Sequence, residues 1–240
     1  RLDGNVGPTV FTRTTDSGAT WETPRSIHDP GVLRQTINNQ VVVLPDGALV
    51  ASFTRLNMSL TRAAVLMAMR STDKGVTWSQ PIVVAQVQSR GATDPESGTS
   101  IRDGANLGSI AAGRNGRIAM VWQDSRFSGG QRDGIAYSQS TDGGLTWSTP
   151  VQLNQAPAVQ AFVPTVHIRD DGTIGVTYYD LRNNTTAPTI LADYWLVQSA
   201  DGVTWTEPEG GLQLWVELPE SFDTADLLGD AVRAGVLFAP

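Results

Sequence analysis

This sequence predicts an all-β chain built from repeated four-stranded units, on three observations. An octet of pattern Ser/Thr-x-Asp-x-Gly-x-x-Trp recurs as "TTDSGATW" (14–21), "STDKGVTW" (71–78) and "STDGGLTW" (140–147), with a shorter relative "SADGVTW" at 199–205. Asn/Asp-Gly dipeptides between apolar runs keep step with it, in "LPDGAL" (44–49), "RNGRI" (114–118) and "DDGTI" (170–174). Finally, 24 Gly and 13 Pro in 240 residues give more turn chemistry than a helical chain needs, and no segment carries a convincing helical pattern.

The elements follow in order. The octet aspartates are Asp16, Asp73, Asp142 and Asp201, so the period runs between 57 and 69 residues. From turn glycine to octet aspartate the distance is 26 (47 to 73), 26 (116 to 142) and 29 (172 to 201). Each period reads as four strands, A to D. In the third they are 109–113, 118–123, 134–140 and 151–154. The Asn/Asp-Gly turn joins A to B and is the strongest short-range hairpin signal, because both residues tolerate positive φ. The octet joins C to D. Four-stranded units repeated at this length predict a β-propeller, whose radial blades leave only short edges.

The whole of 1–240 reads as one such region, with periods at about 1–30, 31–88, 104–155 and 160–217 and a tail at 218–240. Only 15 residues precede Asp16, enough for strands C and D but not for A and B. No clean turn appears in the tail where the next is due. The expected count is therefore about three complete blades plus a half blade, incomplete at both ends. An open stack exposes strand edges and an apolar face. Further blades in a longer chain, self-association into a ring, or completion of the first blade by the tail would each close it.

Within the octet, an Asp in a tight turn accepts backbone N–H groups and Gly supplies positive φ. The Trp (Trp21, Trp78, Trp147, Trp205) folds back to anchor the hairpin by apolar burial. Four near-copies at one topological position read as a part of the fold rather than as one active site. The fourth copy lacks one residue between Asp201 and Trp205, so its turn is expected to differ.

These octets resemble Asp boxes, the BNR repeats of the sialidase (neuraminidase) superfamily, over essentially the whole chain. The stretches "VWQDSRFSGGQRDGIAYSQSTDGG" and "VTYYDLRNN" are most similar to bacterial sialidase-like proteins. The resemblance implies a six-bladed propeller, secretion, and glycoside hydrolase chemistry on acidic, sialylated glycans. It also implies that the boxes lie on one face and the site on the other, where the B–C and D–A loops meet. The rival expectations are a non-catalytic propeller that binds glycan or protein, and a structural module of a larger enzyme.

On that loop face three B–C junctions carry an arginine in register: Arg55, Arg126 and Arg182. Arginine forks bind carboxylates bidentately, which suits an acidic sugar. Asp124 and Asp180 stand two residues before two of them, so pairing within the blade is the competing expectation. The long D–A connection 88–108 adds Asp94, Glu96, Arg102 and Asp103. The family pattern has an arginine triad, a tyrosine nucleophile paired with a glutamate, and an aspartate acid/base. Asp103, Asp124 and Asp180 are the candidate acids and Tyr179 the candidate nucleophile, with Arg55, Arg102, Arg126 and Arg182 for substrate. The family's first arginine sits in an Arg-Ile-Pro stretch eight residues before the Pro of the first Pro-Asp-Gly turn. Here Ile37 holds that place, and Phe162 holds the matching place in the fourth period. Hydrolysis by these 240 residues alone is therefore not expected.

Composition narrows the rest. A net charge of −7 offers no basic surplus for nucleic acid. No apolar run approaches the ~18 residues of a membrane span. With no cysteine and two isolated histidines, no zinc or iron site is expected. Calcium in the acidic 88–108 loop, held by Asp94, is the one cofactor the sequence leaves open.

Overall fold

The computed structural model describes residues 6–59, 63–187, 190–207 and 209–211. The predicted tail 218–240 lies outside the described residues. The strands run in order as β1 (Val6–Gly7), β2 (Thr9–Phe11), β3 (Arg25–His28), β4 (Arg34–Val43), β5 (Leu49–Asn57), β6 (Ala64–Ser71) and β7 (Ile82–Val87). After the long connection come β8 (Ser109–Ala112), β9 (Ile118–Asp124), β10 (Gly134–Ser140) and β11 (Val151–Gln152). Last come β12 (Ala161–Ile168), β13 (Ile174–Asp180), β14 (Asp193–Ser199) and β15 (Glu209–Gly211). The described helix is a single 3₁₀ turn at Arg126–Ser128.

Four sheets result. β2 and β3 form a hairpin; β4 to β7, β8 to β11 and β12 to β15 form three antiparallel meanders in chain order. β1 adds a short parallel strand beside β4, which nothing in the sequence announced. β8 lies beside both β4 and β12, so the first strands of the three meanders are neighbours.

Packing follows from strand alternation, since successive side chains point to opposite faces. On β9, Ile118, Met120 and Trp122 pack toward the second sheet, whereas Ala119 and Val121 pack toward the fourth. All seven residues of β9 are therefore buried. On β13 burial alternates, with Ile174, Val176 and Tyr178 in the core and the odd positions half-buried or exposed. A smaller cluster of Phe53, Val65, Met67 and Met69 joins the β2–β3 hairpin, through Ile27, to the second sheet.

The turns are those the sequence marks, with one difference. Only Gly47, Gly116 and Gly172 of the Asn/Asp-Gly turns have positive φ. Asp46, Asn115 and Asp171 instead accept the N–H two residues on with Oδ1, at 2.8–3.1 Å. This is the three-residue hairpin closed by a left-handed Gly, stabilised by an Asx turn.

The octet turns share one network. Ser71 Oγ donates to Asp73 Oδ1 and accepts from Gly75 N, both at 2.8 Å. Asp73 then accepts Thr77 N (2.9 Å) and Thr77 Oγ1 (2.6 Å). Equivalent bonds surround Asp16 and Asp142. At Asp201 the turn is tighter, and Gly202 N and Thr204 N reach their acceptors across three residues instead of four. Gly75 is required, since at φ +83° a Cβ would also stand 2.8 Å from the Phe11 ring. Trp78, Trp147 and Trp205 are half-buried against the sheets. Trp21 differs from the expectation of burial. It is 63 % exposed, because its hairpin has two strands and no described neighbour on that side.

Candidate functional site

The face opposite the octet turns carries the B–C and D–A connections, and the structure sorts the predicted residues there by their partners. Arg126 donates through Nε to Asp124 Oδ1 (2.8 Å) and through Nη2 to Oδ2 (2.7 Å). Asp124 is fully buried and also accepts Trp122 Nε1 at 2.8 Å. Arg182 binds Asp180 in the same way, at 2.6–3.1 Å, and its guanidinium stands 3.6 Å from the Trp195 ring centroid. Trp195 Nε1 donates to Asp180 at 2.9 Å. Each fork thus holds the carboxylate two residues before it, over an indole.

Arg55 has Phe53 where the other two have Asp. Among the described residues it forms no ion pair; burial first, and then the Arg55 charge, hold His28 below its ordinary pKa. Tyr179 is 37 % exposed and sits between Phe162 and Tyr194, its cross-strand neighbours. Arg102 is exposed on the long connection. Asp94 accepts Glu96 N at 3.1 Å and the Ser97 hydroxyl, which hold its carboxyl below the usual range, the hydroxyl first. Among the described residues no group of three His, Cys, Asp or Glu could hold a metal ion.

The long connection does not splay into solvent. Asp133, fully buried at the end of the loop before β10, accepts Arg90 N and Gly91 N at 2.9 Å, and the Ser89 hydroxyl. Asp103 accepts Ala92 N, and Ala105 N at 3.2 Å. Gln160 on the next connection exchanges two bonds with the Thr93 backbone, at 2.8 and 2.9 Å.

This folding leaves a cleft of about 450 Å³ between the 88–108 connection, the loop before β10 and the loops on either side of β12–β13. Arg90, Arg132, Glu96, Gln131, Gln160 and Asn184 give it polar walls, with Val159 and Leu181 as apolar lining. Arg90 is fixed by Nη1 on Gly130 O (2.8 Å) and Arg132 by Nε on Pro157 O (2.9 Å). Among the described residues neither guanidinium forms an ion pair. The site therefore presents two anchored cations with free N–H groups, one carboxylate and three amides, a donor-rich set for a hydroxylated anion.

Of the predicted residues only Glu96 lines this cleft. Arg90, Arg132 and Gln160 escaped sequence reading because none repeats in register. For Arg90, position on the long loop was the available signal, and it pointed instead to Asp94, Glu96, Arg102 and Asp103.

No family model matches the chain. It is similar to a sialidase of Bacteroides fragilis, 27 % identical over 250 residues, which covers 95 % of this chain and 42 % of that protein. A 52 % identical stretch shared with aromatic-amino-acid aminotransferase 1 of Thermococcus litoralis runs over 40 residues, 17 % of this chain and 10 % of that enzyme. The chain thus spans less than half the length of the curated relatives it matches. Among solved structures it resembles the Penicillium chrysogenum alpha-L-arabinanase, with TM-score 0.57, 15 % identity, and 87 % of this chain and 59 % of that one covered. It also resembles a Dyadobacter fermentans protein of unknown function, with TM-score 0.53, 22 % identity, and 88 % and 60 % covered. At these identities the structural likeness is one of fold alone. The architecture is all-β, built of antiparallel sheets, and similar in fold to these two structures.

Proposed function

We propose that this chain belongs to an extracellular, carbohydrate-active, sialidase-like protein, and that the loop-face cleft recognises an acidic, sialylated glycan. One observation carries the reading: Arg90 and Arg132, unpaired among the described residues, line one cleft with Glu96 and three amides. A sugar carboxylate is matched by the guanidinium groups, and its hydroxyls by the amides and Glu96. The likeness to a sialidase over 95 % of the chain supports the substrate class.

Recognition rather than turnover is what these 240 residues supply. Arg126 and Arg182 are engaged by the Asp124 and Asp180 carboxylates, respectively, of their own sheets. Ile37 and Phe162 occupy the places of the Arg-Ile-Pro arginine. In this reading the three meanders are complete blades, the β2–β3 hairpin is a half blade, and further blades or a second copy close the ring. Hydrolysis then belongs to the closed protein.

The test is calorimetric titration of the chain with sialyllactose and lactose. Sialyllactose is expected to bind and lactose to bind at least tenfold more weakly. Arg90→Ala and Arg132→Ala should each weaken sialyllactose by about 10- to 100-fold, the worth of a hydrogen bond to a charged group. Equal affinity for the two sugars, or no effect of either substitution, would refute the proposal.

A further inference from the structure

The amide of Gln123 has four hydrogen-bonding positions, and all four are filled. Nε2 donates to Asp103 Oδ2 (3.0 Å) and to Asp133 Oδ2 (3.2 Å). Oε1 accepts Gly104 N and Val163 N, both at 3.1 Å. The residue is wholly buried. Two donors and two lone pairs are the whole capacity of a primary amide, so one orientation alone satisfies every partner.

Those partners lead to both sides of the cleft. Through Asp133, Gln123 is linked to the amides of Arg90 and Gly91, the start of the wall that carries Arg90. Through Asp103 it is linked to Ala92 N. Through Val163 it reaches the next sheet, at a β-bulge between Phe162 and Thr165. Val163 has φ +51°, a conformation a β-branched residue adopts only under restraint. Its neighbour Phe162 packs with Ala92, Leu181 and Val159, and the last two line the cleft.

We infer that Gln123 is the positioning residue of the cleft: one buried amide that sets the Arg90 wall and the Val159/Leu181 lining relative to each other without touching the ligand. The inference rests on the glycan-binding reading for its functional half and on the hydrogen-bond network for its structural half. Neither Asp103 nor Asp133 pairs with a cation among the described residues, so Gln123 is also the donor that lets two carboxylates share this interior.

Gln123→Glu tests it, because the side chain keeps its shape while both donors become an acceptor facing two carboxylates. Amide hydrogen exchange and sialyllactose affinity are measured on the same protein. Exchange at Arg90, Gly91, Ala92, Gly104 and Val163 should accelerate at least tenfold, while amides paired between β9 and β10 keep their rates. Affinity should fall at least tenfold although residue 123 lies outside the cleft. Uniform acceleration across the chain would make Gln123 an ordinary core residue and overturn the inference, and so would local loosening with unchanged affinity. If Gln123→Glu fails to fold, Asp103→Ala at the half-buried end of the network takes its place. It should speed exchange at Ala92 and Ala105, spare Arg90 and Gly91, and weaken sialyllactose; no change at Ala92 would sink the proposal. If the unsubstituted chain does not bind sialyllactose, the glycan reading has failed, and the exchange pattern alone then decides whether Gln123 organises these loops.

Discussion

Arg126 and Arg90 lie on the same face with the same charge and do different work, because a carboxylate stands two residues before one and not the other. Removing Arg126 leaves Asp124 buried with only neutral donors. Breaking a buried pair this way costs about 3–5 kcal/mol, and Arg126→Ala is expected near the low end because the guanidinium is 23 % exposed. Its sialyllactose affinity, measured on the folded protein, should stay unchanged. Urea unfolding and titration of Arg126→Ala beside Arg90→Ala check the contrast. The octet aspartates give a second expectation. Asp16 and Asp73 are held at about 2, first by the threonine hydroxyl and then by its N–H. Asp142 also lies at about 2, since bonds from Thr146 and Ser140 outweigh a burial effect that pushes it up. Native values below the ordinary 3.8 make the ionised form the stabilising one. That contribution is full above about pH 4 and is lost as pH falls toward 2. A melting temperature that fell over this window equally in Asp142→Asn and in the parent would show that the bonds contribute nothing.

At the scale of elements, the strands were legible because turns punctuate them: predicted strands 109–113, 118–123 and 134–140 coincide with β8, β9 and β10 to within a residue. The octet's bonds were legible too, since Asp, Gly and Ser/Thr each have one thing to do in so tight a turn. What the pattern could not convey was the neighbour. Trp21 and Trp147 are the same residue in the same octet, yet one is exposed and the other packs on the Leu44–Ile118 core. Trp147→Ala should therefore cost about 2–3 kcal/mol, less than a fully buried aromatic. Trp21→Ala should stay within ~0.5 kcal/mol, as for a surface change. Chemical denaturation of both variants separates burial from motif. The cleft was illegible for a related reason. Gln123 and Asp133 act across four segments, and nothing local in "VWQDSR" or "GQRDG" announces those partners.

At the scale of the molecule, among the described residues the third sheet is covered on both faces and the fourth on one, so the packing that protects β9 leaves β13 half open. The loop face survives this asymmetry because its cleft is built wholly between the third and fourth sheets and the connections above them. Binding should accordingly be present in these 240 residues while turnover of a fluorogenic sialoside stays at background between pH 4.5 and 7.5. Turnover abolished by Arg126→Ala or Arg182→Ala would make the paired arginines substrate clamps after all. The most direct test of the central claim is the position of the sugar carboxylate in a crystal of the chain grown with sialyllactose. The carboxylate is expected against Arg90 and Arg132, with the sugar hydroxyls on Gln131, Gln160 and Asn184. A carboxylate held instead by Arg55, Arg126 or Arg182, with the Arg90–Arg132 cleft empty, would contradict it.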